Sequence, residues 1–307
     1  MKIIKSVSVA LMLLCAAAGA HAQTLAFTFD DGPQLNATPR LSPQQRNAAL
    51  LGALTRHQVP AALFVTCGNG ADKPDGLLLA RAWGKAGHAL GNHTMTHPDL
   101  NSEKITLAQY QQEVLDCDRI VAPLPGYQKW FRFTFLREGK TPEKRDGMRS
   151  FLQQQDYRNA HVTIDTSDWR FDQRLVQVLK ARPDADVEPI RRAYLAHLRQ
   201  RANAYRALAL QLEGREIPHM LLLHHNLVNA LWLDDVIAQF KADGWTFAAP
   251  ATALDDPLYK AAPTSTVAGQ SLLLSRAREK GLGKFPGWER LVDDGDYEMD
   301  QLKAQGL

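Results

Sequence analysis

Two short clusters of side chains have the types and spacing to do chemistry. Thr28-Phe29-Asp30-Asp31-Gly32-Pro33 sets two adjacent carboxylates at the end of an apolar run, just before turn-forming residues. Downstream, His93-Thr94-Met95-Thr96-His97 offers two imidazoles at i and i+4. One carboxylate and two imidazoles can hold a divalent ion, and the second carboxylate is then placed to manage a proton. Each cluster alone has an ordinary reading. Asp-Asp-Gly-Pro is turn chemistry, and paired histidines are common on surfaces. Their joint occurrence, each after a strand-like run, points to a mononuclear metal hydrolase.

The elements that must position these residues follow from hydrophobic periodicity. Strands are expected at Leu25–Phe29, Ala61–Val65, His88–Asn92, Trp130–Phe135, His161–Asp165, His219–His224 and Trp245–Ala248. Helices are expected at Pro43–His57, Leu77–Ala86, Leu107–Val121, Thr141–Gln155 and Leu227–Asp243. Strand-helix repetition implies an α/β fold with a parallel sheet, open or closed. In a barrel, functional residues collect at the carboxyl ends of strands. Asp30, Asp31, His93, Arg132, Asp165 and His224 all fall at or near such ends. Asp172 to Ile217 breaks the rhythm: it is charged, helical in pattern and reads as two inserted helices. They either pack outside the sheet or form a lid or partner surface near the groove. Beyond Pro250 the composition shifts to Pro, Gly and clustered charge, with a short helix near Leu272–Lys280. This tail is expected to wrap the domain.

From about Leu25 to Pro250 the chain resembles the polysaccharide deacetylases, the NodB-homology group or carbohydrate esterase family 4. The Thr28–Pro33 and His93–His97 runs match that family's first two motifs. The resemblance implies an irregular (β/α)7-8 barrel with a helical insertion before the last motif and an extended carboxy-terminal tail. It also implies that Asp31, His93 and His97 ligate the metal and that Asp30 is the catalytic base. Zn²⁺ is the default ion; Co²⁺, Ni²⁺ or another divalent ion suits the same donors. Adjacent strand residues point to opposite sides, so both carboxylates can reach one site only if the strand gives way to a turn, expected at Gly32-Pro33.

The later motifs match more loosely. Arg132-Phe133-Thr134-Phe135 aligns with an Arg-Pro-Pro-aromatic motif but lacks both prolines. Arg132 would pair with Asp30 and hold it ionised, and Phe135 would wall the substrate groove. In Asp165-Thr166-Ser167-Asp168-Trp169, Asp168 would orient the catalytic histidine, with Asp165 the alternative, and Trp169 would offer an apolar face to a sugar. Leu222-Leu223-His224 matches the last motif; His224 would be the general acid, with His225 a weaker alternative and Leu222 a groove residue. Thr94 would brace the ligand loop. His88 reads as a hydrogen-bonded core histidine.

Composition bounds the setting. The chain has 307 residues, enough for one large domain, and a net charge of +3, which carries no nucleic-acid signal. Lys2 and Lys5, the apolar stretch Val7–Ala18 and Ala20-His21-Ala22 read as a secretory signal at residues 1–22, cleaved after Ala22. Leu14 before Cys15 argues against a lipid anchor, so no stable membrane anchor is expected after cleavage. The expected location is periplasmic or secreted. The mature chain then comprises a deacetylase domain at 23–254, carrying the insertion at about 172–217, and an extension at 255–307 packing on the barrel. It keeps Cys67 and Cys117, which either form a disulfide or remain two buried thiols.

The resemblance implies hydrolysis of acetyl groups from an N-acetylated glycan: peptidoglycan, a chitin-like oligomer or an exopolysaccharide. An O-acetyl esterase, for example on xylan, or a non-sugar amidase would use the same catalytic residues. A reading of another class is a non-catalytic glycan-binding or envelope-assembly protein; retention of Asp30, Asp31, His93 and His97 argues against it.

Overall fold

The computed structural model describes residues 23–265, 271–282, 291 and 295–307. The expected signal segment lies outside them. Seven strands form a parallel sheet in the order β5-β4-β3-β2-β1-β7-β6: β1 (Thr24–Gly32), β2 (Ala61–Val65), β3 (Ala89–Asn92), β4 (Tyr127–Phe131), β5 (Arg158–Asn159), β6 (Ile164–Asp165) and β7 (Pro218–His224). A short β8 (Thr246–Phe247) pairs with the start of β1. The sheet curls into a half-barrel surrounded by helices. Residues 160–163 carry the chain from one sheet edge to the other. Ala160 N donates to Phe131 O on β4, and Thr163 N donates to Met220 O on β7.

The central strands are apolar along their length because both of their faces are covered. Every residue from Ala61 to Val65 is buried, as is Leu25 to Asp30. Helices α1 (Pro43–His57), α2 (Pro74–Lys85), α3 (Leu107–Val121) and α4 (Pro142–Gln154) follow β1 to β4. Local signals fix several ends. Ser42 with Gln45, and Thr106 with Gln109, each form a capping box at the starts of α1 and α3. Cys67 and Cys117 form a disulfide that ties the turn after β2 to the middle of α3.

The long segment after β6 contains α5 (Asp168–Ala181) and the 26-residue α6 (Glu188–Glu213). The first of these begins at Asp168, inside the expected catalytic motif, so the helical segment starts earlier than Asp172. Helix α6 packs on the outside, burying Tyr194, Leu198, Ala202 and Tyr205, and contributes nothing to the lining of the main cavity. Helix α7 (Leu227–Ala242) and the short α8 (Pro250–Leu254) complete this side. Helix α9 (Leu272–Glu279) buries Leu272, Leu273 and Leu274, and Leu272 N donates to Val162 O at the crossing between sheet edges. The final helix, α10 (Asp296–Ala304), buries Glu298 and Leu302. No helix among the described residues is long and apolar enough to cross a membrane.

Two expected strands are shorter than their alternation suggests. The run Trp130–Phe135 leaves the sheet after Phe131; Thr134–Leu136 is a helical turn in which Phe135 and Leu136 take left-handed φ of 54° and 52°. Of His161–Asp165 only the last two residues pair, because residues 160–163 are spent on the crossing.

Candidate metal centre and flanking residues

The two carboxylates of Asp30-Asp31 reach one site through a different device from the expected turn. β1 continues to Gly32, which pairs with Val65, and the register shifts between Phe29 and Gly32. Asp31 at φ 68° supplies the irregularity, so its side chain swings to the same side as Asp30. A Cβ on Gly32 would sit 2.7 Å from Leu63 Cδ1 and 2.9 Å from His225 Cβ, so only glycine fits this close approach.

His93 and His97 follow β3 on a loop with two further left-handed residues, Thr94 (φ 72°) and His97 itself (φ 58°). Thr94 braces it: its hydroxyl accepts from His97 N at 3.0 Å, and its N–H donates to Asn92 Oδ1 at 2.9 Å. His93 Nδ1–H donates to Arg132 O at 2.8 Å, which leaves Nε2 as the nitrogen available to an ion. That Nε2 lies 3.7 Å from Asp31 Oδ1, and His97 Nε2 lies 3.4 Å from the same oxygen. Asp31, His93 and His97 thus offer one donor atom each, all within 4.8 Å of one another. Burial pushes His97 down to about 4, against the opposing pull of Asp31, so its ring is neutral. Burial would raise Asp31, but the imidazoles of His97, His224 and His93 together hold it below the usual carboxylate range. Neutral imidazoles and an ionised carboxylate are the protonation states a divalent ion needs. The donor set fits such an ion.

Asp30 lies opposite His224 in the β1–β7 register. Arg132 fixes one carboxylate oxygen: Nη1 donates to Asp30 Oδ1 at 2.7 Å and to Thr28 Oγ1 at 2.8 Å. Its Nε donates to Ala160 O at 3.0 Å, and its guanidinium lies 3.9 Å over the Phe64 ring. The other oxygen, Oδ2, is 3.7 Å from His93 Nε2. Arg132 and Asp30 are both buried.

His224 is held from behind by Asp168, with Nδ1 at 2.5 Å from Oδ1. Burial disfavours the imidazolium, but the Asp168 carboxylate outweighs it and raises His224 to about 10. Asp168 Oδ2 accepts from His224 N, Asn226 Nδ2 and Asn229 Nδ2 at 2.9, 3.0 and 2.6 Å. Asp165, the alternative partner, instead accepts from Ser167 N at 3.2 Å and shapes its own loop. His225 is turned away: it is fully buried, its Nε2 is 3.0 Å from Asn47 Oδ1, and burial pushes it down to about 3. His88 is a core residue whose Nδ1 accepts from Ala61 N at 3.3 Å.

A cavity of about 450 Å³ joins these groups. Asp30, Asp31, His93, His97 and His224 line it, with walls from Phe133, Phe135, Leu136, Arg137, Trp169 and Leu222. Phe135 is 44% exposed and stands edge-on to the His97 ring at 4.4 Å. Sequence reasoning missed Thr66, whose hydroxyl donates to Asp31 Oδ1 at 3.2 Å, and Asn226 and Asn229 on Asp168. Thr66 follows the last residue of β2, so a polar residue at a strand's carboxyl end was the available signal. The asparagines fall on the start of α7 and carry no such mark.

Fold and site define a class: an α/β half-barrel with a single-ion donor set at the carboxyl ends of its central strands. Residues 17–149, a little under half of the chain, match the family model for polysaccharide deacetylase. It is 28% identical over 146 residues to a peptidoglycan-N-acetylglucosamine deacetylase of Bacillus cereus, covering 48% of this chain and 46% of that protein. It is 40% identical over 85 residues to a chitooligosaccharide deacetylase of Rhizobium leguminosarum bv. trifolii, covering 28% of this chain and 34% of the relative. The matches thus span less than half the length of either curated relative. Among solved structures, the chitin deacetylase of Colletotrichum lindemuthianum superposes with a TM-score of 0.54 at 18% identity, covering 77% of this chain and 89% of that one. At that identity the likeness speaks for the fold.

Proposed function

We propose that this protein is an exported, metal-dependent deacetylase that removes acetyl groups from an N-acetylated glycan. The observation that carries the reading is the pairing of a buried carboxylate and a charged imidazole on opposite register positions of one cavity. Asp30 is fixed by Arg132, His224 by Asp168, and the Asp31–His93–His97 donors open on the same space. The names of the relatives support an acetylated amino-sugar polymer as substrate. The disulfide supports an oxidising compartment, periplasmic or extracellular.

A divalent ion on Asp31, His93 and His97 would supply Lewis acidity, drawing electron density from an acyl oxygen and making a neighbouring water a better proton donor. Asp30 accepts the proton of the attacking water; Arg132 keeps its carboxylate aimed for that task. His224, held by Asp168 through Nδ1, gives the proton of its other nitrogen to the departing amine. One water is consumed, and acetate and a free amino sugar leave. Phe135, Trp169 and Leu222 form the apolar wall against which a pyranose ring would lie.

The test is acetate release from N-acetylated oligosaccharides and acetylated xylan, with and without chelator, by the wild type and Asp30→Asn. Chelator-sensitive release from the N-acetylated substrates, lost by about 100-fold or more in the variant, is expected. Release only from xylan would favour an esterase. Glycan binding with no release from any substrate would overturn the enzymatic reading.

A further inference from the structure

Helix α6 and helix α10 meet in a buried ion pair that the proposed chemistry does not use. Arg201 on α6 and Glu298 on α10 are 1% and 0% exposed, and Arg201 Nη2 donates to Glu298 Oε1. Taking both charges out of water costs more than their attraction commonly returns, so net stabilisation alone is a weak account of such a pair. The remaining bonds of Arg201 give another. Its Nη1 donates to Asp165 O at 3.0 Å and its Nη2 to Ser167 Oγ at 2.9 Å. His197, one turn earlier on the same face of α6, bonds to Thr166 O at 2.8 Å through Nε2. Three successive loop residues are therefore gripped by two side chains of α6. The next residue in the chain is Asp168.

The loop requires holding. Ser167 starts α5 in a left-handed conformation, φ 49°, with no side-chain capping bond. A non-glycine residue there is maintained by its surroundings. Helix α10 also reaches the far side of Asp168. At its first turn Gly295 sits so close that a Cβ would lie 2.8 Å from the Trp169 ring and 2.2 Å from Arg170 Nε. The carboxy-terminal helix thus meets the chain after Asp168 directly and the chain before it through Arg201.

We propose that Arg201 and Glu298 are positioning residues: they lock residues 165–167, place the Asp168 carboxylate, and through it orient His224. The carboxy-terminal helix is then a working part of the site although it lines none of the cavity. The kinetic consequence rests on the deacetylase reading; the structural consequence does not.

The decisive variant is the double substitution Arg201→Met with Glu298→Leu, which removes both charges together and leaves no buried charge unpaired. In the metal-free protein the Nδ1 proton of His224, bonded to Asp168, should give a downfield, slowly exchanging NMR resonance. In the double variant we expect it to shift upfield and exchange faster while the protein still unfolds cooperatively. On an acetylated substrate kcat should fall by up to about 100-fold, with KM little changed. Arg276→Gln is the control. Arg276 joins α9 to Glu213 at the far end of α6, so its loss should lower stability and leave the resonance unchanged. If the double variant does not fold, the isosteric Glu298→Gln is read by the same resonance. A folded variant with the His224 resonance at its wild-type position and exchange rate would overturn the proposal. Absence of turnover in the wild type would sink the deacetylase reading alone, and the resonance would still decide this one.

Discussion

Removing the Cys67–Cys117 bond should cost both stability and metal affinity. The cysteines are 50 residues apart, and closing a loop of that length removes denatured-state entropy worth about 4 kcal/mol. Spread over the unfolding entropy of a chain this size, that is a fall in melting temperature of about 7 °C. The bond also has a local consequence. Cys67 N donates to Thr94 O at 3.1 Å and Gly68 N to Met95 O at 2.7 Å, so the turn it anchors supports the loop that carries His93 and His97. Thr66, next in the chain, donates to Asp31. The perturbation is Cys67→Ala with Cys117→Ala; the assay is thermal unfolding with and without reductant, together with zinc titration. The double variant and reduced wild type should melt at the same lowered temperature, and both should bind zinc more weakly than oxidised protein. A wild type whose melting temperature ignores complete reduction, checked by thiol counting, would refute the reasoning.

Further outcomes follow from the site and the buried histidines. His93→Ala should lose bound metal and, with it, the melting-temperature rise that metal gives the wild type, about 2.7 kcal/mol at a hundredfold excess over Kd; metal content and paired melts check this. Asp168→Asn removes the group that raises His224 to about 10, leaving the burial that lowers it. The acid form present below that value is then lost at lower pH, so the basic limb of the kcat/KM profile should move toward neutrality. The same pair contributes stability that is complete below pH 6.5 and lost as pH rises through about 10, so the variant's stability should be flatter across that window. His197, His219 and His225 are each buried and pushed down to about 3 by desolvation. Their contribution is complete above pH 6.5 and is lost as pH falls toward 3. His219 has no hydrogen-bond partner among the described residues, so His219→Leu should make urea stability less sensitive to acid by about one proton's worth of slope.

The sequence is most legible where local and tertiary preferences agree. Helices α1 and α3 start where expected because capping boxes mark those positions, and β2 is placed as expected because five apolar residues suit a strand covered on both faces. The approach of Asp30, Asp31, His93 and His97 was readable as spacing between strand ends. The devices that achieve it were not. A shift of register at Asp31 and left-handed φ at Asp31, Thr94, His97 and Phe135 are backbone states that no side-chain pattern announces. Phe131-Arg132-Phe133-Thr134-Phe135 alternates like a strand, yet Tyr110 and Pro98 draw it into a turn: Thr134 N donates to Tyr110 Oη, and Thr134 Oγ1 to Pro98 O. The motif resemblance put Asp168 before Asp165, but the physical reason, a carboxylate oxygen 2.5 Å from His224 Nδ1, appears only once α5 and β7 are placed. The grip of α6 on residues 165–167 joins positions more than 30 apart and left no local trace.

The first strand of the chain lies in the middle of the sheet, between β2 and β7. Its partner on one side is synthesised some 190 residues later: Thr28 Oγ1 donates to Leu221 O, a separation of 193. A nascent chain therefore cannot finish its sheet early; β1 keeps an unpaired edge until β7 has emerged. Such delay makes folding slow. The residues matched to the family model stop at position 149, before β7 and its His224, so that stretch expressed alone would present β1 as an open, adhesive edge.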